Sequence, residues 1–177
     1  MIKHILVAIG AGNDCTALNT AIERARETNA KLTALHVVDR VPWWATASIE
    51  SDCGRTFALI EAHASKVADH AMNAIREAGI EGSCVTIDLP GNMTLSCVIA
   101  RAARELDADL IVVGRSKTAH WRCWEERVSD AVTRYSNRRV LIVSNDAAPV
   151  EAEAETKATP LSFNIVGSTQ RTFVPIP

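Results

Sequence analysis

A chain of 177 residues with 47% hydrophobic and 23% charged side chains fits one globular domain with a short appendage. Its formal net charge of −2 lacks the basic footprint of a nucleic-acid binder, and no apolar run approaches the roughly 20 residues that span a bilayer. The opening MIKHILVAIG has too short an apolar run for a secretory signal and no A-x-A site, so a cytoplasmic protein is expected, without membrane or nucleic-acid partners.

Lys3–Ile9 is an apolar, β-branched run closed by Gly10-Ala11-Gly12 and predicts the first strand. Leu18, Ala21, Ile22 and Ala25 then recur at helical spacing, with Asn13 or Asp14 placed to cap the helix. Lys31–Val38 reads as a second buried strand, followed by a polar and aromatic connection, Asp39–Asp52. A long helix over about Phe57–Ala78 ends at Gly79, a fitting C-terminal cap. Ser83–Leu89 alternates as a strand, and Pro90-Gly91 turns it into a helix over Met93–Leu106. Asp109–Val113, Glu125–Ser136 and Arg139–Val143 complete the pattern as strand, helix and strand. Parallel strands need crossovers, and the four helices supply them. The expected fold is α/β: an open, doubly wound, five-stranded parallel sheet with helices on both faces, over residues 1–144.

Residues 145–160, NDAAPVEAEAETKATP, are rich in alanine, glutamate and proline without apolar periodicity and read as a linker. The tail 161–177 turns β-prone around Gly167-Ser168, which suits a small hairpin or a segment that adds to a sheet edge.

Most chemistry is declined. The five cysteines are widely spaced without a C-x-x-C pair, and His63 and His70 stand seven apart where helical metal pairs use three or four, so no metal site is expected. Cys15 lies near a helix N-terminus, where thiols become reactive. The sequence offers it no base, resolving cysteine or oxyanion arrangement, so it is not nominated as a nucleophile. With no general acid–base pair in view, no enzymatic activity is nominated.

Ligands of an open parallel sheet bind beyond the strands' carboxyl ends. The candidate loops are therefore Gly10–Asp14, Asp39–Trp44, Leu89–Asn92 and Gly114–Cys123. Gly10-Ala11-Gly12 with Asp39 resembles the start of a dinucleotide fingerprint. Cys15 stands where the third glycine belongs, however, and five strands leave no second domain for a substrate. The glycines are read instead as permitting a tight strand-to-helix turn.

The segments IKHILVAI, AKLTALHVV, ARELDADLIVVG and VSDAVTRYSNRRVLIVS resemble, in order and spacing, the universal stress protein family across about Met1–Ser144. The resemblance implies a five-stranded parallel sheet, a homodimer commonly formed through the last strand, and membership of either an ATP-binding or a non-binding subset. It also places the nucleotide-pocket positions at Gly10, Val38, Gly114, Arg115, Lys117 and Arg127. ATP-binding members have an aspartate where Gly10 stands. Their phosphate loop resembles G-x-x-G, nine residues, then G-[ST]. Gly114 matches its first glycine, Lys117 replaces the second, and Glu126 and Arg127 replace the final pair with the spacing one residue short.

Backbone N–H groups cradle phosphate only where side chains leave the approach open. Glu126 would add a repulsion of about 4 kcal/mol at ~4 Å and an effective dielectric near 20. That exceeds a charge-assisted hydrogen bond of roughly 1.5–3 kcal/mol. The expectation is therefore a regulatory, stress-response protein without a cofactor, acting through dimerisation at Arg139–Val143 and the tail. Two alternatives stand beside it. Arg115, Lys117, His120, Arg122 and Arg127 form a side-chain pocket for ATP or another adenine nucleotide, as in a switch or slow ATPase. In the other, Trp43, Trp44 and Trp121 line a cleft for a different small ligand.

Overall fold

A computed structural model describes residues 1–10, 15–39, 53–114, 128–144 and 147–152. In chain order the elements are β1 (His4–Ile9), α1 (Thr16–Thr28), β2 (Lys31–Val38), α2 (Cys53–Glu77), β3 (Gly82–Asp88), α3 (Leu95–Glu105), β4 (Leu110–Gly114), α4 (Val128–Tyr135), β5 (Arg139–Ser144) and β6 (Ala147–Ala152). One sheet holds all six strands in the order β3-β2-β1-β4-β5-β6. The first five are parallel, as the apolar runs predict, and β6 joins antiparallel to β5.

The pleat sorts the core into two layers. Ile5, Val7, Leu32, Ala34, Leu110, Val112 and Leu141 face α1 and the C-terminal half of α2, meeting Leu18, Ala21, Ile22, Ala71 and Ile75. Leu6, Leu35, Ile111, Val113 and Val140 face α3 and α4, meeting Ile99, Ala102, Ala103 and Val132. Because helices cover both faces, successive residues are buried through the middle of the central strands (Ile5–Val7, Leu32–His36 and Leu110–Val113), which is why those strands read as apolar runs rather than alternating ones.

Helix ends follow local chemistry. Gly79 takes φ 68°, with its N–H and that of Ile80 closing on the carbonyls of Arg76 and Ile75, so the sequence-predicted glycine cap is realised. α1 ends on Asn29 in the left-handed conformation, its N–H reaching Ala25 and Arg26 carbonyls. At its other end the N-cap is Cys15, without a side-chain cap bond; the sequence-proposed caps Asn13 and Asp14 lie outside the described residues. Thr94 caps α3 by accepting from the Cys97 N–H at 3.3 Å. The Arg26 side chain donates to the Ala78 carbonyl from Nε at 3.2 Å and Nη2 at 2.9 Å, tying α1 to the C-terminal end of α2.

Two expectations need correction. Residues 145–160 do not run throughout as linker: Ala147–Ala152 form β6, with Val140 opposite Ala152 and Ser144 opposite Ala147. Consequently β5 is an interior strand, and Arg139–Val143 is not the sheet's edge. Backbone pairing to a neighbouring strand can order a segment whose composition carries no apolar pattern, and that is the physical reason composition misled here. The sequence-expected hairpin at 161–177 lies outside the described residues.

Candidate ligand site at the strand carboxyl ends

The chain builds β1, β2 and β3 outward in one direction, then returns to lay β4 on the other side of β1. The helices that follow β1 and β4 pack on opposite faces of the sheet, and the carboxyl ends of two such neighbouring strands are where an open parallel sheet takes its ligands. Gly10 follows β1, and Gly114 is the last residue of β4; Ala8 and Val113, just inside them, are paired neighbours. Gly114 also faces the first turn of α1, because a Cβ added there would lie 3.6 Å from the Ala17 Cβ. Val38 ends β2 and is buried, its carbonyl accepting from the Leu89 N–H at 2.8 Å. The structure therefore places Gly10, Val38 and Gly114 along one end of the sheet. Arg115, Lys117 and Arg127, together with Trp43, Trp44 and Trp121, lie outside the described residues.

Neither switch-point glycine is demanded by backbone conformation. Gly79 is the only described glycine at positive φ, and among the described residues a Cβ at Gly10 would meet nothing within 4 Å. The turn that Gly10 and Gly12 were read as permitting runs through residues 11–14, which lie outside the described residues. Gly10 leaves the switch point without a side chain at that position.

Polar groups gather nearby on the α1–α2 face. His36, buried on β2, donates from Nδ1 to the Ile9 carbonyl at 3.2 Å, one residue before Gly10. At the start of α1, Cys15 Sγ lies 3.3 Å from His70 Nε2 of α2. Sequence reasoning did not single out His36, and it weighed His70 only as a metal partner of His63 and Cys15 as lacking a base; 55 residues separate Cys15 and His70, and no local pattern signals their approach. Among the described residues, no three His, Cys, Asp or Glu side chains converge to hold a metal ion. No described helix is long and apolar enough to cross a membrane.

Residues 1–144 match the model of the universal stress protein family. The chain belongs to that family. A Staphylococcus aureus (strain USA300) protein named as a universal stress protein is 24% identical to this one over 170 residues, covering 90% of this chain and 94% of the relative. Among solved structures, a family protein from Burkholderia pseudomallei superposes with a TM-score of 0.62 at 24% identity, over 80% of this chain and 96% of its own. The universal stress protein from Archaeoglobus fulgidus in complex with dAMP superposes at 0.57 with 23% identity, over 80% and 98%. At these identities the likeness establishes the fold, and this universal stress protein adds β6 beyond its family-matched region.

Proposed function

We propose that this universal stress protein is a regulatory protein that acts through protein contacts as a homodimer, and that it does not hold ATP in the manner of the family's ATP-binding members. Gly10 carries the reading. It follows β1 at the switch point, where no described residue would crowd a side chain, yet the chain has glycine and not aspartate at that position. Lys117, Glu126 and Arg127 extend the departure along the sequence that follows β4. An adenine nucleotide would have Gly10, Val38 and Gly114 as neighbours here, without the side-chain anchor after β1 that the resemblance associates with ATP binding.

For the homodimer, support comes from the β5–β6 end of the sheet. β6 already occupies the outer edge of β5, so a partner strand meets β6 and the residues after it rather than Arg139–Val143. Unpaired backbone groups at a sheet edge are a natural place for a two-fold neighbour to add. The dAMP held by the Archaeoglobus fulgidus neighbour favours a second reading, a nucleotide-binding switch. Native mass spectrometry of the purified full chain separates the two. The proposed function expects the mass of two chains and no retained nucleotide. Retained AMP, ADP or ATP would favour the switch, and a monomer at micromolar concentration would overturn the dimer.

A further inference from the structure

Cys15 and His70 meet the geometric requirement for an assisted sulfur nucleophile, a thiol and an imidazole within hydrogen-bonding distance on different elements. Several features hold the pair in place. Cys15 is the N-cap residue of α1, with φ −89° and ψ 5°, and its side chain makes no cap bond to the helix. His70 projects from α2 one residue before Ala71, which is buried in the layer shared with α1. The two-pronged bond from Arg26 to the Ala78 carbonyl fixes the opposite ends of the same two helices against each other. The His70 ring is exposed and Cys15 is half-buried, so a small reagent reaches the sulfur while the imidazole keeps contact with water.

We propose that the Cys15–His70 pair is a reactive-thiol site whose co-reactant is a hydroperoxide. When Nε2 carries the lone pair, the Cys15 S–H donates to it along the 3.3 Å contact. The sulfur attacks one peroxide oxygen, an S–O bond forms and the O–O bond breaks. His70 takes the thiol proton and delivers it to the departing oxygen, which leaves as water from hydrogen peroxide or as an alcohol from an alkyl hydroperoxide. Sulfur loses two electrons, the peroxide gains two, and Cys15 becomes a sulfenic acid. During the step the imidazolium donates a charge-assisted bond to the developing thiolate.

The other described cysteines serve as internal comparisons. Burial, with Asp69 adding to it, pushes the Cys84 thiol up to about 11, which keeps it protonated and inert. Cys97 sits in the first turn of α3, where its backbone N–H is engaged by Thr94. Cys15 alone among these three pairs its sulfur with a histidine in the described structure.

The test treats the full-length protein with hydrogen peroxide, traps sulfenic acid with a cyclic diketone and follows each cysteine-containing peptide by mass spectrometry. In the parent protein, Cys15 is expected to label on the order of tenfold faster than Cys84 or Cys97, since positioned proton transfer contributes about this much or more. His70→Ala is expected to slow Cys15 by a similar factor, with added imidazole restoring the rate. His63→Ala, two turns away on α2, should leave the rate alone. A Cys15 that labels no faster than Cys97 would overturn the site before any variant is made. An undiminished rate in His70→Ala would overturn the role of the base, and circular dichroism on that variant reports whether the fold is retained.

Discussion

His4 Nε2 and Thr33 Oγ1 lie 2.8 Å apart inside the sheet, and the bond between them has a defined direction. The other ring nitrogen, Nδ1, is 2.9 Å from the Leu106 carbonyl, which can only accept, so Nδ1 carries the proton. In the neutral ring Nε2 therefore accepts from the Thr33 hydroxyl, and Thr33 in turn is 3.4 Å from Ser83 Oγ. Burial holds the His4 pKa below its ordinary value of 6.5; Lys31 works in the same direction, while the Leu106 bond, Asp109 and Asp107 oppose it.

A histidine whose folded pKa is lowered stabilises the protein fully above the unfolded value and loses that contribution as pH falls below it toward the folded value. Thermal stability should therefore fall as pH drops below about 6.5. An NMR titration that placed the His4 midpoint above that value would contradict the burial assignment. Thr33→Val, which strands the ring acceptor, should cost about 1–3 kcal/mol at neutral pH. Urea denaturation measures it.

Asp109 ties the start of β1 to the start of β4. Its Oδ2 accepts from the N–H groups of Lys3 at 2.7 Å and His4 at 3.1 Å, while its own N–H donates to the His4 carbonyl at 2.8 Å. The Lys3 bond is the main influence lowering the Asp109 pKa, with the His4 bond, Arg138 and the N-terminus assisting against desolvation. A depressed carboxylate stabilises the fold above its unfolded pKa and loses that stabilisation as pH falls through the folded value. Asp109→Asn keeps the shape and removes the charge. It should flatten the acid limb of the stability profile and raise hydrogen exchange at Lys3 and His4; unchanged exchange at both amides would count against the tie.

Gly82 is a glycine the packing requires. A Cβ there would lie 2.6 Å from the Leu32 carbonyl oxygen and 2.8 Å from the Ile75 Cγ2, and Ile75 is fully buried. Neither neighbour can yield without disturbing the β2–β3 ladder or the core beneath α2. Gly82→Ala should thus cost about 1–3 kcal/mol through overpacking. Gly114→Ala, which among the described residues would make only an ordinary contact with Ala17, should stay within about 0.5 kcal/mol. Equal denaturation midpoints for the two variants would refute the distinction.

The parallel sheet was legible because four of its strands are apolar runs and the third alternates, each set between helical periodicities, and Lys31–Val38 coincides with β2 residue for residue. Gly79 was legible for a similar reason: a glycine after a long amphipathic segment has one common use. β6 was not, since its order depends on the neighbouring backbone of β5 and its alanine, proline and glutamate carry no pattern of burial. For the site, strand order decides where Gly10, Val38 and Gly114 fall; the alternation of elements pointed to the strands' carboxyl ends, and the order itself comes from the structure. The Cys15–His70 contact comes from how α1 and α2 pack side by side, which no single segment encodes.

Gly10 offers the most direct test of the proposal that this protein does not hold ATP in the manner of the family's ATP-binding members. With no described residue within 4 Å of its Cβ position and an ordinary backbone angle, Gly10→Asp should fold with a stability change within about 0.5 kcal/mol. Restoring the aspartate alone should not produce saturable ATP binding by calorimetry, because Lys117, Glu126 and Arg127 still stand where the ATP-binding motif has glycines and a hydroxyl. Adding Lys117→Gly, Glu126→Gly and Arg127→Ser removes a carboxylate whose repulsion, at about 4 kcal/mol for a near contact, corresponds to an affinity gain on the order of 100-fold or more. The expected series is therefore no binding, no binding, then measurable binding. Micromolar ATP binding by the unaltered chain would break the series at its first member, and with it the assignment of this protein to the subset without family-type ATP binding.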